Sequence, residues 1–103
     1  MGTRALINIE GVDFASIYKH WDGYPEGMMD WLEDFNSKFS KNRGDDPEYK
    51  FAQLIRYTGK YDKDWGIDDS ETTGYGVVPH NAEVWQDYTY TLHADGTVTH
   101  DGK

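Results

Sequence analysis

Short alternating runs and two longer stretches of helical period divide the chain. Arg4-Ala5-Leu6-Ile7-Asn8-Ile9-Glu10 is aliphatic and β-branched and ends at a turn, Gly11-Val12-Asp13, which predicts a strand over 4–10. Phe14 to Trp21 alternates again, with Ala15, Ile17, Lys19 and Trp21 on one face and Ser16, Tyr18 and His20 on the other, so the two segments read as an antiparallel hairpin. Asp22-Gly23-Tyr24-Pro25 breaks the second strand. A helix follows from about Pro25 to Arg43, because Met28, Leu32, Phe35 and Phe39 recur at spacings of 4, 3 and 4. Proline suits its first turn, Glu26 and Asp30 its positive end, and Lys38, Lys41 and Arg43 its negative end. Trp31 falls at the edge of the inner stripe, where partial exposure is expected.

Asp46-Pro47-Glu48 marks the start of a second helix, with an inner stripe of Phe51, Leu54, Ile55 and Thr58 and a stop at Gly59. Residues 60–74 have no period and read as a long acidic loop. Three strands close the chain: Tyr75 to Val78, Gln86 to His93 and Thr97 to His100. Tyr88, Tyr90 and Leu92 share the core-facing side of the second, and Ala94-Asp95-Gly96 is a tight hairpin turn. The expected architecture is one α+β domain over 1–103, an antiparallel sheet of about five strands in the order ββααβββ with both helices on one face.

Charge changes this picture more than hydropathy does. The 103 residues carry 19 acids against 10 bases, a net −9, which makes direct nucleic-acid binding unfavourable because phosphates require Lys and Arg. Hydrophobic content is only 37%, but aromatics make up 16%, and these bury enough area per residue to support a folded core. No apolar run approaches the roughly 20 residues of a membrane span. With no cysteine, disulfides, thiolate metal sites and Cys nucleophiles are excluded. The N-terminal residues lack a signal-peptide pattern, so a cytoplasmic protein is expected, in a host cell if phage-encoded.

Two segments carry candidate chemistry. The first is the strand-to-helix junction, where His20, Trp21, Asp22 and Tyr24 combine stacking faces, hydrogen-bonding groups and the N–H groups of a helix start. Its ordinary reading is a turn set by Gly23 and Pro25, with Trp21 capping the core. The run His20-Trp21-Asp22-Gly23-Tyr24-Pro25, followed by Glu26-Gly27, resembles one found in small uncharacterised phage and prophage proteins. The resemblance extends to Arg43 through Leu54 and Tyr90 through Thr99. It implies a setting, in which small acidic proteins bind and block host machinery, and no mechanism.

The second segment is the acidic run. Asp62, Asp64, Asp68, Asp69 and Glu71 lie within ten residues around Trp65 and could imitate phosphate spacing toward a basic protein. Trp65 reads either as a binding anchor or as a pin for the loop. A calcium loop does not fit: with Asp62 first, Gly66 is fifth and Thr73 stands where a bidentate Glu belongs. Catalysis finds no footing. His20, His80, His93 and His100 are scattered, although His93 and His100 flank one hairpin, and no serine sits in a nucleophile elbow. No cofactor or metal is expected. The leading expectation is a non-enzymatic inhibitor of a basic, nucleic-acid-binding host defence protein. The alternative is a binder or sponge for a nucleotide-like signal, using the His20–Pro25 junction.

Overall fold

The elements alternate much as their patterns require: β1 (Ala5–Ile9), β2 (Ala15–Lys19), α1 (Pro25–Arg43), α2 (Pro47–Asp64), β3 (Tyr75–Pro79), β4 (Tyr88–Leu92) and β5 (Val98–Gly102). This computed structural model describes residues 3–20, 23–43, 46–64 and 74–102, with 59–64 as backbone only. α1 keeps both expected bounds. α2 begins at Pro47 but runs through Gly59 to Asp64, so the first part of the expected loop is helix. A glycine inside a helix costs only about 1 kcal/mol relative to alanine and does not end it without a further stop signal.

The five strands form one sheet in the order β3-β2-β1-β4-β5. The pairings β1–β2, β2–β3 and β4–β5 are antiparallel, as expected. β1–β4 is parallel, with Ala5 opposite Tyr88 and Ile9 opposite Leu92, so the sheet is mixed and not wholly antiparallel. A parallel neighbour needs a crossover. Here β3 lies beyond β2 and runs in the same direction as β4, so the connection 80–87 must traverse the sheet to reach the far side of β1.

Both helices lie on one face, α1 over β4 and β5 and α2 over β1. Ala5, Ile7, Ile9, Ile17, Tyr90, Leu92 and Val98 meet Met28, Trp31, Leu32, Phe35, Phe39, Phe51 and Leu54 in a single core. Trp31 is buried rather than partly exposed, because Tyr57 of α2 stacks on it at 5.8 Å and 22°. Ile55 departs from its expected stripe and is 43% exposed, since Phe51, Leu54 and Thr58 already define the inner face. Tyr88 is only half-buried.

Polar groups lock this core at two places. Buried Asn36 of α1 donates from Nδ2 to the carbonyls of His93 (3.0 Å) and Thr97 (2.8 Å), the two sides of the β4–β5 turn. Its Oδ1 accepts from Nζ of buried Lys50 in α2 at 2.8 Å. One amide thus joins both helices to the hairpin, whose Gly96 takes φ +95°. On the other face, Ser16 donates to Asn8 Oδ1, Asn8 Nδ2 donates to Asn81 Oδ1 (2.8 Å), and the Asn81 N–H donates to Ser16 Oγ (3.0 Å).

Asn36→Ala removes two hydrogen bonds to hairpin carbonyls and one acceptor of a buried ammonium. It is expected to destabilise the fold by about 2–4 kcal/mol in urea unfolding, whereas exposed Ser37→Ala stays within about 0.5 kcal/mol.

Candidate functional site

The end of the sheet where β1 begins holds His20 and the start of the strand-to-helix junction. The row Tyr75–Lys19–Ala5–Tyr88–Gly102 crosses all five strands there. Just beyond it lie Gly74, His20, Arg4 and Asp87. The His20 N–H donates to the Gly74 carbonyl at 2.7 Å, so the chain returning from the acidic segment meets the junction directly. His20 Nδ1 hydrogen-bonds the Tyr18 hydroxyl, and their rings meet edge-on at 5.8 Å.

Gly23 is the structural pivot of the junction. Its N–H donates to the Thr3 carbonyl at 2.8 Å, and its carbonyl accepts from the buried Tyr90 hydroxyl at 2.5 Å. A Cβ at this position would stand 2.7 Å from that of Ala5, so only glycine allows the loop to lie against β1. Tyr24 is half-exposed, and its carbonyl accepts from the N–H groups of Gly27 (3.2 Å) and Met28 (3.1 Å). With Pro25 lacking an N–H, the helix start offers an anion fewer donors than the sequence suggests.

Trp21 and Asp22 lie outside the described residues, as do Trp65, Asp68, Asp69 and Glu71. Asp62 and Asp64 fall on the last helical turns of α2, where only the backbone is described. His93 and His100 do not face each other. Period-2 alternation puts them on opposite faces, His93 with Thr99 (2.8 Å) and Glu10 (3.5 Å), His100 against the rings of Tyr88 and Tyr90.

The residue that sequence reasoning missed is Trp85. It sits on the sheet-crossing connection, 76% exposed, with φ +59°. A bulky side chain in the left-handed region costs about 1–3 kcal/mol, and an indole left in water recovers little of that by burial. The conformation is held by its surroundings. The Trp85 N–H donates to Glu83 Oε1 (2.8 Å), the Val84 N–H to Gln86 Oε1 (3.2 Å), and the Asp87 N–H to the Arg4 carbonyl (2.9 Å). The Arg4 N–H donates back to Asp87 Oδ2 (3.2 Å), and its guanidinium stands 5.8 Å from the indole centroid. Exposed Glu83 and Asp87 therefore flank an exposed, pre-set aromatic. The visible signal was Glu83-Val84-Trp85-Gln86-Asp87, an aromatic spaced by two from acids on either side.

Acidity extends onto α1, where Glu26, Asp30 and Glu33 share one exposed stripe and form no ion pair with a described residue. At the opposite end of the sheet, the Ala94 N–H and His93 hold the Glu10 carboxyl below its ordinary value, and two bonds from Thr97 do the same for Asp95. No family model, no curated protein and no solved structure matches the chain. No helix among the described residues is long and apolar enough to cross a membrane.

Burial raises the Tyr90 phenol above its ordinary value of 10.0, with Tyr88 and Glu26 adding to the shift. The neutral form is the one folding favours, so this contribution is complete below the unfolded value and is lost as pH rises past it. Alkaline unfolding monitored by circular dichroism should therefore steepen from about pH 10 upward. Tyr90→Phe should start from lower stability at neutral pH, having lost the bond to Gly23, but show a shallower alkaline slope.

Proposed function

We propose that this protein is a non-catalytic binding module that docks a basic, nucleic-acid-binding partner, with Trp85 as the apolar anchor and the surrounding acids as the complementary field. The observation that carries the reading is the exposed Trp85, held in an unfavourable backbone conformation between Glu83 and Asp87. Such strain is retained where it serves a site, and tryptophan dominates interface hot spots because one rigid side chain buries a large area. The net charge of −9 and the exposed acidic stripe on α1 favour a partner rich in Lys and Arg, chiefly through faster encounter and rejection of acidic competitors. The acids at Asp62, Asp64, Asp68, Asp69 and Glu71, together with Trp65, extend the same chemistry along the chain. In its specific form the reading is a phage-type inhibitor of a host defence protein, consistent with the resemblance at His20–Pro25.

The test separates anchor from scaffold. Trp85→Gly relieves the left-handed strain, so its melting temperature should equal or exceed that of the parent. In pull-downs from host lysate at low and high salt, the parent should retain a basic protein that is released by salt. Trp85→Gly should bind it at least about tenfold more weakly, a loss of roughly 1.4 kcal/mol or more. Equal retention by the variant, or a retained partner that is acidic and insensitive to salt, contradicts the reading.

A further inference from the structure

The outer side of the helix layer carries a second feature, remote in character from the acidic surface. Phe35 and Phe39 of α1 and Tyr49 and Tyr57 of α2 line a groove of about 360 Å³, with Lys38 and Arg43 on its rim. That volume lies within the range of small-molecule sites. The rings form a continuous series: Tyr57 to Phe35 at 5.3 Å, Phe35 to Phe39 at 6.0 Å, and Phe39 to Tyr49 at 5.9 Å. Arg43 closes the series, its guanidinium carbon 3.9 Å from the Tyr49 ring centroid. A neighbouring cavity shares Phe35, Gln53 and Tyr57 and adds Arg56.

Charge sets this groove apart. Among the described residues the exposed cations are Lys38, Lys41, Arg43 and Arg56, and three of these four line the two neighbouring cavities. In a chain of net charge −9, that is a local concentration of cations. Lys38 pairs with Asp34 (3.1 Å) and Arg43 with Asp46 (3.4 Å), but all four side chains are exposed, and such pairs contribute about 0–1 kcal/mol. Both cations can therefore turn to a ligand at small cost. Arg56 forms no ion pair with a described residue. Beyond a Debye length of about 8 Å the acids elsewhere on the chain are largely screened, so the rim decides what enters.

We propose that the α1–α2 groove binds a small planar aromatic anion, its ring seated against Tyr49 and Tyr57 over the buried rings of Phe35 and Phe39 and its carboxylate or phosphate held by Lys38 and Arg43. The rings supply stacking faces, the two cations supply charge-assisted hydrogen bonds, and neither part alone accounts for the other. The site is independent of Trp85 and of any protein partner.

The experiment uses the full ¹⁵N-labelled chain, titrated separately with adenosine 5′-monophosphate, phenylphosphate, phenylacetate, adenosine and inorganic phosphate. At least one of the three aromatic anions should shift amides of residues 35–43 and 49–57 saturably, and which one does so identifies a nucleotide, an aryl phosphate or an aryl carboxylate as the ligand type. Adenosine and inorganic phosphate should bind at least about tenfold more weakly, because each lacks half of the recognition. The double variant Lys38→Gln/Arg43→Gln should weaken binding by about tenfold or more, while Arg4→Gln leaves it unchanged. Absence of shifts at these residues with all three aromatic anions overturns the proposal, as does binding of inorganic phosphate at equal strength or binding undiminished in the double variant.

Discussion

Every residue of β1, from Ala5 to Ile9, is buried, and this strand lies at the centre of the sheet between β2 and a parallel β4. A strand in that position must be covered on both faces. The helices cover one face. Among the described residues the other has no helix layer, and the 80–87 connection lies over it because parallel β1–β4 pairing forces that segment across the sheet. Leu6 is fully buried yet lies outside the helix-side core. Asn8 depends on this connection, because its Nδ2 donates to Asn81 Oδ1, while its Oδ1 stays bonded to Ser16. Asn81 can serve because asparagine tolerates the left-handed region, here φ +55°.

The same constraint explains why the candidate surface is rigid as well as exposed. The connection is pinned at its start through Asn81 to β1 and β2, and at its finish through Asp87 to Arg4. Between these two joints Trp85 points into solvent on a backbone its neighbours hold in place. A pre-set aromatic loses little conformational entropy on binding, which is how a small exposed area becomes an effective anchor. The opposite layer is organised differently. There Asn36 and Lys50 tie α1, α2 and the last hairpin together from inside, and Tyr49 and Tyr57 with the core rings of Phe35 and Phe39 form an aromatic groove with a cationic rim.

Much of the fold was legible in the pattern of residues. α1 could be bounded at both ends because Pro25 sets its start and the apolar spacing persists to Phe39. The β4–β5 turn was legible because Ala94-Asp95-Gly96 supplies a residue suited to positive φ. The end of α2 was not, since one glycine is a weak stop, and the parallel partner of β1 was not, since alternation along a strand says nothing about its neighbour. A clue did exist: Ala5-Leu6-Ile7 is continuously apolar, as in strands buried on both faces. Of the junction read from the sequence, His20 and Tyr24 are described and Trp21 and Asp22 are not, and its glycine, Gly23, is the structural pivot. Trp85 was not found, because positive φ at tryptophan follows from tertiary hydrogen bonds and not from local propensity. The groove was not found either, since Tyr49 and Tyr57 look like ordinary helix-surface residues until α1 stands beside them.

Rigid presentation of Trp85 by the sheet-crossing connection is most directly tested by ¹⁵N relaxation of the free protein, read at the backbone amides of residues 81–87. If the connection is a fixed cover over β1, Trp85 should show an order parameter near that of the strands, about 0.85. A value below about 0.6 at Trp85, with the strands themselves rigid, would mean that the indole is carried on a loose loop and would contradict the central claim.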